Sequence, residues 1–321
     1  MIPTFKYYAP RYPLSVVVLS HNRLNELTHN MPELIRHCAH LGYELIVADN
    51  ASNDEVRSYL ATVSASQPHV TVVFNETNLG VAGGRNSTFA PAKGEFILSI
   101  DDDTRVPYDV LRKLPHLLRQ KYPHVGILAL RVKHAVTGEE QNFAGEQAVL
   151  VRNHHGAAFA IRREVLARIG GMDEYCSFGV EEFDICIRTH VAGYQILYCP
   201  ELVVFHNSFP RPGREDIDRR QKWMFNSSRT KFKYFPFGTA VIFSTRWFLM
   251  TTRGMILRGN IVGFSRLLWA HLQGFCVGLW HREPLPPSTL SYYADPNLVP
   301  EDGNKPCLWA GVKRWLRKWV S

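Results

Sequence analysis

The sequence predicts an α/β domain, a mostly parallel sheet flanked by helices, followed by a helical C-terminal extension. Short runs rich in apolar and β-branched residues begin near positions 14, 44, 70, 95 and 125. Their spacing of roughly 25–30 residues is what strand–helix–strand crossovers require. The fourth run, Glu95-Phe96-Ile97-Leu98-Ser99-Ile100, contains no Pro or Gly and reads as a strand buried on both faces. It opens directly onto Asp101, Asp102 and Asp103. A strand of a parallel sheet delivers such residues to the carboxyl edge, where α/β folds bind ligands. Adjacent carboxylates repel unless a cation sits between them, and oxygen ligands of this kind suit Mg2+ or Mn2+.

Taken in order, Leu14 to Leu19 is a β-branched first strand. It stops at Ser20-His21-Asn22-Arg23, a polar turn able to offer backbone N–H groups to a ligand. Asn30 and Pro32 suggest the start of the first helix, with Pro in its opening turn. Glu44 to Ala48 is the second strand, ending in the polar run Asp49 to Asp54, and Val70 to Phe74 is the third. Gly80, Gly83 and Gly84 follow it, but their spacing fails the GxGxxG fingerprint and comes after the wrong strand. A dinucleotide-dependent dehydrogenase is therefore excluded. Small residues there let a helix approach a bound nucleotide, with Arg85 near its phosphates.

Residues 131–152 are polar and mixed, an irregular strand-rich excursion. Gly156 to Ile161 is a small-residue strand, and a short helix follows from Arg163 to Ile169. A second acidic stretch, Glu181-Glu182-Phe183-Asp184, opens a helix whose apolar face is expected at Phe183, Ile187 and Val191. Carboxylates in a first helical turn are favoured by the helix dipole alone. One facing a cleft also has the chemistry of a general base. Glu201 to His206 is a strand ending in histidine, either a structural residue or a ligand beside the aspartates.

Composition narrows the classes further. The chain of 321 residues, 45% hydrophobic and 21% charged, has room for one large α/β domain plus an appendage. Six scattered cysteines without a CxxC pair indicate neither a disulfide framework nor a zinc site, and fit a reducing cytosol. No apolar leader is visible between Met1 and Pro13. The net charge of +8 asks for an anionic partner: nucleotide, membrane surface or nucleic acid. Nucleic acid is disfavoured because the first 200 residues lack interleaved aromatic and basic residues. Between Phe235 and Trp280 an apolar stretch is interrupted by Arg246, Arg253, Arg258 and Arg266, so interfacial helices or a subunit contact that would make a homo-oligomer fit better than a membrane span. Residues 284–306 read as a Pro-rich linker. Leu308 to Trp319 reads as a helix with tryptophans on one face and four cations opposite, an anchor for anionic lipid.

Five ordered motifs, Ser15–Asn22, Val47–Asp54, Asn78–Asn86, Ile97–Thr104 and Gly179–Arg188, together resemble the inverting family 2 glycosyltransferases of the GT-A fold, in particular their rhamnosyltransferase-like branch. The resemblance covers residues 14 to about 235; with the change in composition after Trp223 it gives a catalytic domain at 1–235, a helical region at 236–283 and a linker with a basic helix at 284–321. It implies that Ser20, Asn22, Asp49, Asn78, Gly80, Arg85, Asp101 and Asp102 surround the nucleotide, Asp49 bonding its base. Asp101 and Asp103 match the outer members of the DxD motif, and His206 the late metal-site histidine, for Mn2+ or Mg2+. The catalytic base falls on Glu182, one methylene longer than the usual Asp, with Asp184 the alternative. A UDP- or dTDP-sugar donor, a glycan or lipid-linked acceptor and a place on the inner face of the cytoplasmic membrane complete the expectation.

Other classes fit less well. A haloacid-dehalogenase-type phosphatase needs Thr or Val where Arg105 stands. A sugar nucleotidyltransferase usually carries a Gly-rich signature after its first strand, and a basic membrane-binding module leaves the carboxylates without a role.

Overall fold

A computed structural model of the chain describes residues 1–207 and 217–295. The first half builds β1 (Tyr12–Ser20), α1 (Leu24–Leu41), β2 (Glu44–Asp49), α2 (Asp54–Ser66), β3 (Val70–Phe74), α3 (Gly80–Phe89), β4 (Gly94–Asp101), β5 (Thr104–Arg105) and α4 (Tyr108–His116). Then come β6 (Val125–His134), β7 (Glu140–Asn142), β8 (Val149–Leu150), β9 (Ala158–Arg162), α5 (Arg163–Ile169), α6 (Glu181–Val191) and β10 (Gln195–His206). Four helices follow: α7 (Ile217–Tyr234), α8 (Phe237–Leu257), α9 (Ile261–Trp280) and α10 (Pro287–Ala294).

The ten strands form one sheet of order β3-β2-β1-β4-β9-β6-β10-β5, with β7 on β6 and β8 on β10. β1 pairs in parallel with β2 and β4, and β6 in parallel with β10. β9 runs antiparallel between these two blocks. Alternation along the strands sorts the core. Leu14, Val16 and Val18 of β1 pack with Leu27 and Met31 of α1 and Leu114 of α4. Val17 points the other way, to Ala82 and Phe89 of α3, Leu166 of α5 and Ile185 of α6. Helices therefore cover both faces, as the near-continuous apolar runs predicted.

Three local expectations are corrected. The first helix begins at Leu24, and Pro32 lies inside it. Its buried stripe of Leu27, Met31, Leu34 and Cys38 runs past the proline, and that burial outweighs the one backbone hydrogen bond proline removes. In α6 the expected apolar face is only partly used, since Val191 is 48% exposed. The helix instead lies between two cores, Ile185 and Cys186 facing the sheet and Ile187 facing Phe232 and Tyr234 of α7. The stretch read as a linker contains α10, which docks through fully buried Tyr293, and Tyr292 Oη donates to Val151 O at 2.6 Å. The basic tail at 308–319 lies outside the described residues.

The C-terminal helices are fastened to the sheet domain by charge. Buried Asp173 accepts from Arg229 Nη2 of α7 at 2.5 Å, and Lys233 Nζ lies 3.7 Å from the same carboxylate. Asp184 of α6 accepts from Tyr234 Oη at 2.8 Å and pairs with Arg188 Nε at 2.8 Å. Within the helical layer, a Cβ at Gly274 or Gly278 of α9 would collide with the α7 backbone at Phe225 and Arg229, so glycine lets the two helices close. Among the described residues no helix is long and apolar enough to cross a membrane. Removing one partner of a buried pair strands the other charge, so Arg229→Met should lower stability by about 3–5 kcal/mol in denaturant unfolding. An unchanged midpoint would mean that Asp173 is satisfied without Arg229.

Candidate active site

The ends of β1, β2 and β4 meet at one edge: Ser20 stands opposite Asp49, and Leu19 opposite Asp101. After Asp101 the chain turns into two-residue β5, which pairs antiparallel with the end of β10 and sets Thr104 opposite His206. That pairing is what brings the late histidine to the aspartates. Oxygens of Asp101 and Asp103 and a ring nitrogen of His206 all lie within 4.8 Å of one another. His206 Nε2 is 3.1 Å from Asp103 Oδ1 and 3.9 Å from Asp101 Oδ2. Its Nδ1 is 2.6 Å from Gln141 Oε1 of β7, an arrangement that keeps the proton on Nδ1 and turns Nε2 to the carboxylates.

The carboxylates are met by two arginines, one of them shared. Arg85 Nη2 of α3 donates to Asp101 Oδ1 at 2.6 Å. Arg23, from the turn after β1, pairs with Asp102 through Nε at 3.0 Å and with Asp103 through Nη2 at 2.5 Å. Burial pushes the Asp102 carboxyl up to about 7 against the pull of Arg23. Burial acts the same way on Asp103, but His206 and Arg23 outweigh it and hold that carboxyl below its usual range. Burial disfavours the imidazolium of His206, yet Asp103 and Asp101 raise its pKa. Two carboxylate oxygens and one imidazole nitrogen at this spacing fit a divalent ion that tolerates mixed O and N donors, such as Mn2+. In such a site Asp101, Asp103 and His206 would be its protein ligands.

The acidic helix start faces the same edge. A Cβ at Gly156 would collide with Glu182 Oε1, so the carboxylate rests against that backbone. The Gly156 carbonyl in turn accepts from Arg85 Nη2 at 2.7 Å, one bond from Asp101. Glu181 is 3% exposed and its Oε2 has no hydrogen-bond partner among the described residues. Burial raises the pKa of both carboxyls, and their proximity to Asp101 adds to it, with Arg85 opposing. Asp184 is 0% exposed and committed to Arg188 and Tyr234. It holds α6 in place from behind.

Around the residues expected to border a nucleotide, the arrangement differs from the sequence reading. Arg85, expected near phosphates, is buried and spent on Ser99 Oγ, Asp101 and Gly156 O. Asp102 lies outside the Asp101–Asp103–His206 cluster and shares Arg23 with Asp103, and its carbonyl accepts from Asn30 Nδ2 of α1 at 3.0 Å. Asp49 accepts from Ser52 N at 3.1 Å and pairs with Arg57 at 3.0 Å. Asn22 is exposed with φ at 55°, and its Oδ1 accepts from Asn53 N at 2.8 Å, tying two loops together. Asn50, unremarked in the sequence, is the hub: its Nδ2 donates to Asn78 Oδ1 and Gly80 O, and its Oδ1 accepts from Leu79 N. Ser20 is buried at the strand end. Arg23, Asn50 and Gln141 were missed. The first two sit in polar turns that already drew notice, whereas Gln141 gives no signal in the irregular excursion.

A mixed sheet with this histidine-completed acidic edge defines an α/β domain of the GT-A class. The glycosyl transferase family 2 model matches residues 15–170, and the glycosyl transferase family group 2 model matches residues 96–281, more than half of the chain. The chain belongs to the family 2 glycosyltransferases. It is 23% identical over 236 residues to the uncharacterised protein y4gI of Sinorhizobium fredii, covering 65% of this chain and 26% of that one. An undecaprenyl-phosphate 4-deoxy-4-formamido-L-arabinose transferase of Pseudomonas savastanoi is 29% identical over 123 residues, 36% of each chain. The chain thus spans well under two thirds of these relatives. The mannosyltransferase PcManGT of Pyrobaculum calidifontis, solved with GDP-Man and Mn2+, superposes with a TM-score of 0.52 at 18% identity, over 99% of this chain and 85% of that one.

If Gln141 orients the imidazole, Gln141→Leu should weaken Mn2+ binding about 10–100-fold in a thermal-shift titration, the usual effect of a lost outer partner. Asp103→Asn should remove the Mn2+ response altogether. A full response in Asp103→Asn would dissolve the cluster as a metal site.

Proposed function

We propose that the chain is an inverting glycosyltransferase that moves a sugar from a nucleotide-diphosphate donor to a hydroxyl of a glycan or lipid-linked acceptor, in cell-surface polysaccharide synthesis. The observation that carries this reading is convergence: Asp101, Asp103, His206 and Glu182 reach one sheet edge from β4, its following turn, β10 and α6. A divalent ion held by the first three would supply positive charge beside a departing diphosphate. Glu182 takes the proton of the acceptor hydroxyl as its oxygen bonds the anomeric carbon. The bond from that carbon to the diphosphate breaks on the opposite face, and its electron pair leaves with the phosphate oxygen. One base without a nucleophilic partner is enough, so the configuration inverts. The imidazole donor favours Mn2+ over Mg2+, which prefers an all-oxygen shell.

In this reading residues 1–235 perform the chemistry, Asp49, Asn78 and Gly80 border the nucleotide, and the later helices serve the acceptor. The rhamnosyltransferase-like branch rests on the motifs alone, and the donor base stays between UDP, dTDP and, from the structural neighbour, GDP. A lipid-linked acceptor is supported by the relative named for undecaprenyl phosphate. The exposed apolar residues of α8 and α9 support work at the inner face of the cytoplasmic membrane, with no spanning helix among the described residues.

Glu182→Gln should lower turnover by about 10²–10⁴, the range for loss of a general base, while donor binding persists. Because the Glu182 pKa lies above its ordinary 4.5, activity should fall as pH drops through that raised value, on the alkaline side of a free glutamate. A pH–rate profile of the intact enzyme checks the position of the acid limb. An active Glu182→Gln variant would end the assignment.

A further inference from the structure

Next to the acidic helix start lies a cavity that the donor chemistry does not use. Phe183 of α6, Phe235 of α7 and Phe243, Trp247 and Met250 of α8 enclose about 170 Å3, with Lys231 and Arg246 completing the lining. Lys231 Nζ donates to Ser227 O at 3.3 Å and to Ser227 Oγ, and lies 5.8 Å from the Trp247 ring. Among the described residues neither Lys231 nor Arg246 meets a carboxylate, whereas neighbouring Arg229 and Lys233 are both paired to Asp173. Lys231, partly buried among aromatics without a carboxylate, calls for an anion that arrives with a ligand, and exposed Arg246 stands at the same cavity as a second cation for it.

The cavity also has an exit. Arg246 and Met250 belong equally to an open apolar trough on the outer face of α8, with Val241, Ile242, Thr245 and Leu249. Ile242 and Leu249 are 45% and 54% exposed, so the trough is free surface. An anionic group beside Lys231 and Arg246 would therefore continue into a hydrocarbon chain lying along α8. At its other end the cavity begins at Phe183, one residue after Glu182 on the same helix.

Building on the proposed role of Glu182, we infer that this cavity and trough seat the lipid phosphate of a lipid-linked sugar acceptor. The sugar hydroxyl meets Glu182, the phosphate meets Lys231 and Arg246, and the chain follows α8. A lipid phosphate acting as nucleophile by itself is already ionised at neutral pH and needs no base. A base at one end and an anion seat at the other suit an acceptor whose reacting hydroxyl and phosphate are separate groups.

The test uses the full chain in chelator, so that phosphate cannot report on the metal cluster, with farnesyl phosphate as probe in calorimetry. Farnesyl phosphate should bind, and farnesol and inorganic phosphate should each bind at least about tenfold more weakly, since each lacks one half of the recognised group. Lys231→Met and Arg246→Ala should each weaken farnesyl phosphate by about tenfold or more, as expected for a lost charge-assisted contact. Arg246 is exposed, so its variant keeps the test decisive where Lys231→Met fails to fold. Equal binding of farnesol or inorganic phosphate, or insensitivity to Arg246→Ala, overturns the inference. So does binding to phosphatidylglycerol vesicles without binding to farnesyl phosphate, which would make the surface a bilayer seat. Nucleotide binding is measured on the same protein with chelator removed and Mn2+ added: its presence without farnesyl phosphate binding sinks the acceptor seat alone. Lipid binding with no response to UDP, dTDP or GDP sinks the glycosyltransferase reading instead.

Discussion

Three consecutive carboxylates at the end of one buried strand cannot be left to water or to one another. The fold meets that constraint by bringing counter-charges to them from three different elements. Arg85 reaches Asp101 from α3, Arg23 reaches Asp102 and Asp103 from the turn after β1, and His206 reaches Asp103 from β10. Those cations are contributed across 183 positions of chain, between Arg23 and His206. The edge is therefore held by electrostatics as much as by sheet hydrogen bonds. Desolvated charge pairs of this sort cost stability unless geometry is good, and here the short contacts and the shared guanidinium supply it.

The same logic extends behind the site. Glu182 stands at a helix start whose orientation is set within the same turn by Asp184, wedged between Arg188 and Tyr234. Arg188 also donates to the carbonyls of Ile169 and Gly171, so α6 is clamped to the loop after α5 as well as to α7. The position of the proposed base thus depends on a helix packed between the sheet and the C-terminal layer. That is why α7 is not simply an appendage, although its polar sequence gave no hint of burial.

Much of this was legible from residue order. Strand spacing, the carboxylate-terminated β4, the short α5 and the acidic start of α6 emerged from periodicity, because each is a local pattern. What failed to show was non-local. Arg85 follows a glycine-rich segment and reads as a phosphate contact; only the fold reveals that Ser99 and Asp101 consume it. Pro32 looked like a helix start because proline favours first turns, but a stripe of buried side chains carried the helix through it. Asn50 and Gln141 act through partners 28 and 65 residues away, distances at which sequence patterns carry no information. Arg246 was visible only as an interruption of an apolar run and Lys231 not at all, and their common cavity is a product of helix packing.

The antiparallel strand β9 carries a consequence of its own. Because it runs against its neighbours, its beginning, not its end, lies at the carboxyl edge of β4. The approach to it supplies two main-chain acceptors there: Ala157 O takes the Asp101 N–H at 3.1 Å, and Gly156 O takes Arg85. The rim of the site is therefore partly built from a loop that enters the sheet, preceded by the long irregular excursion from β6. Such a segment tolerates insertion and deletion far better than a strand does. Lineages sharing this architecture are free to reshape what enters the cleft there by editing that excursion, while β4 and β9 keep their register.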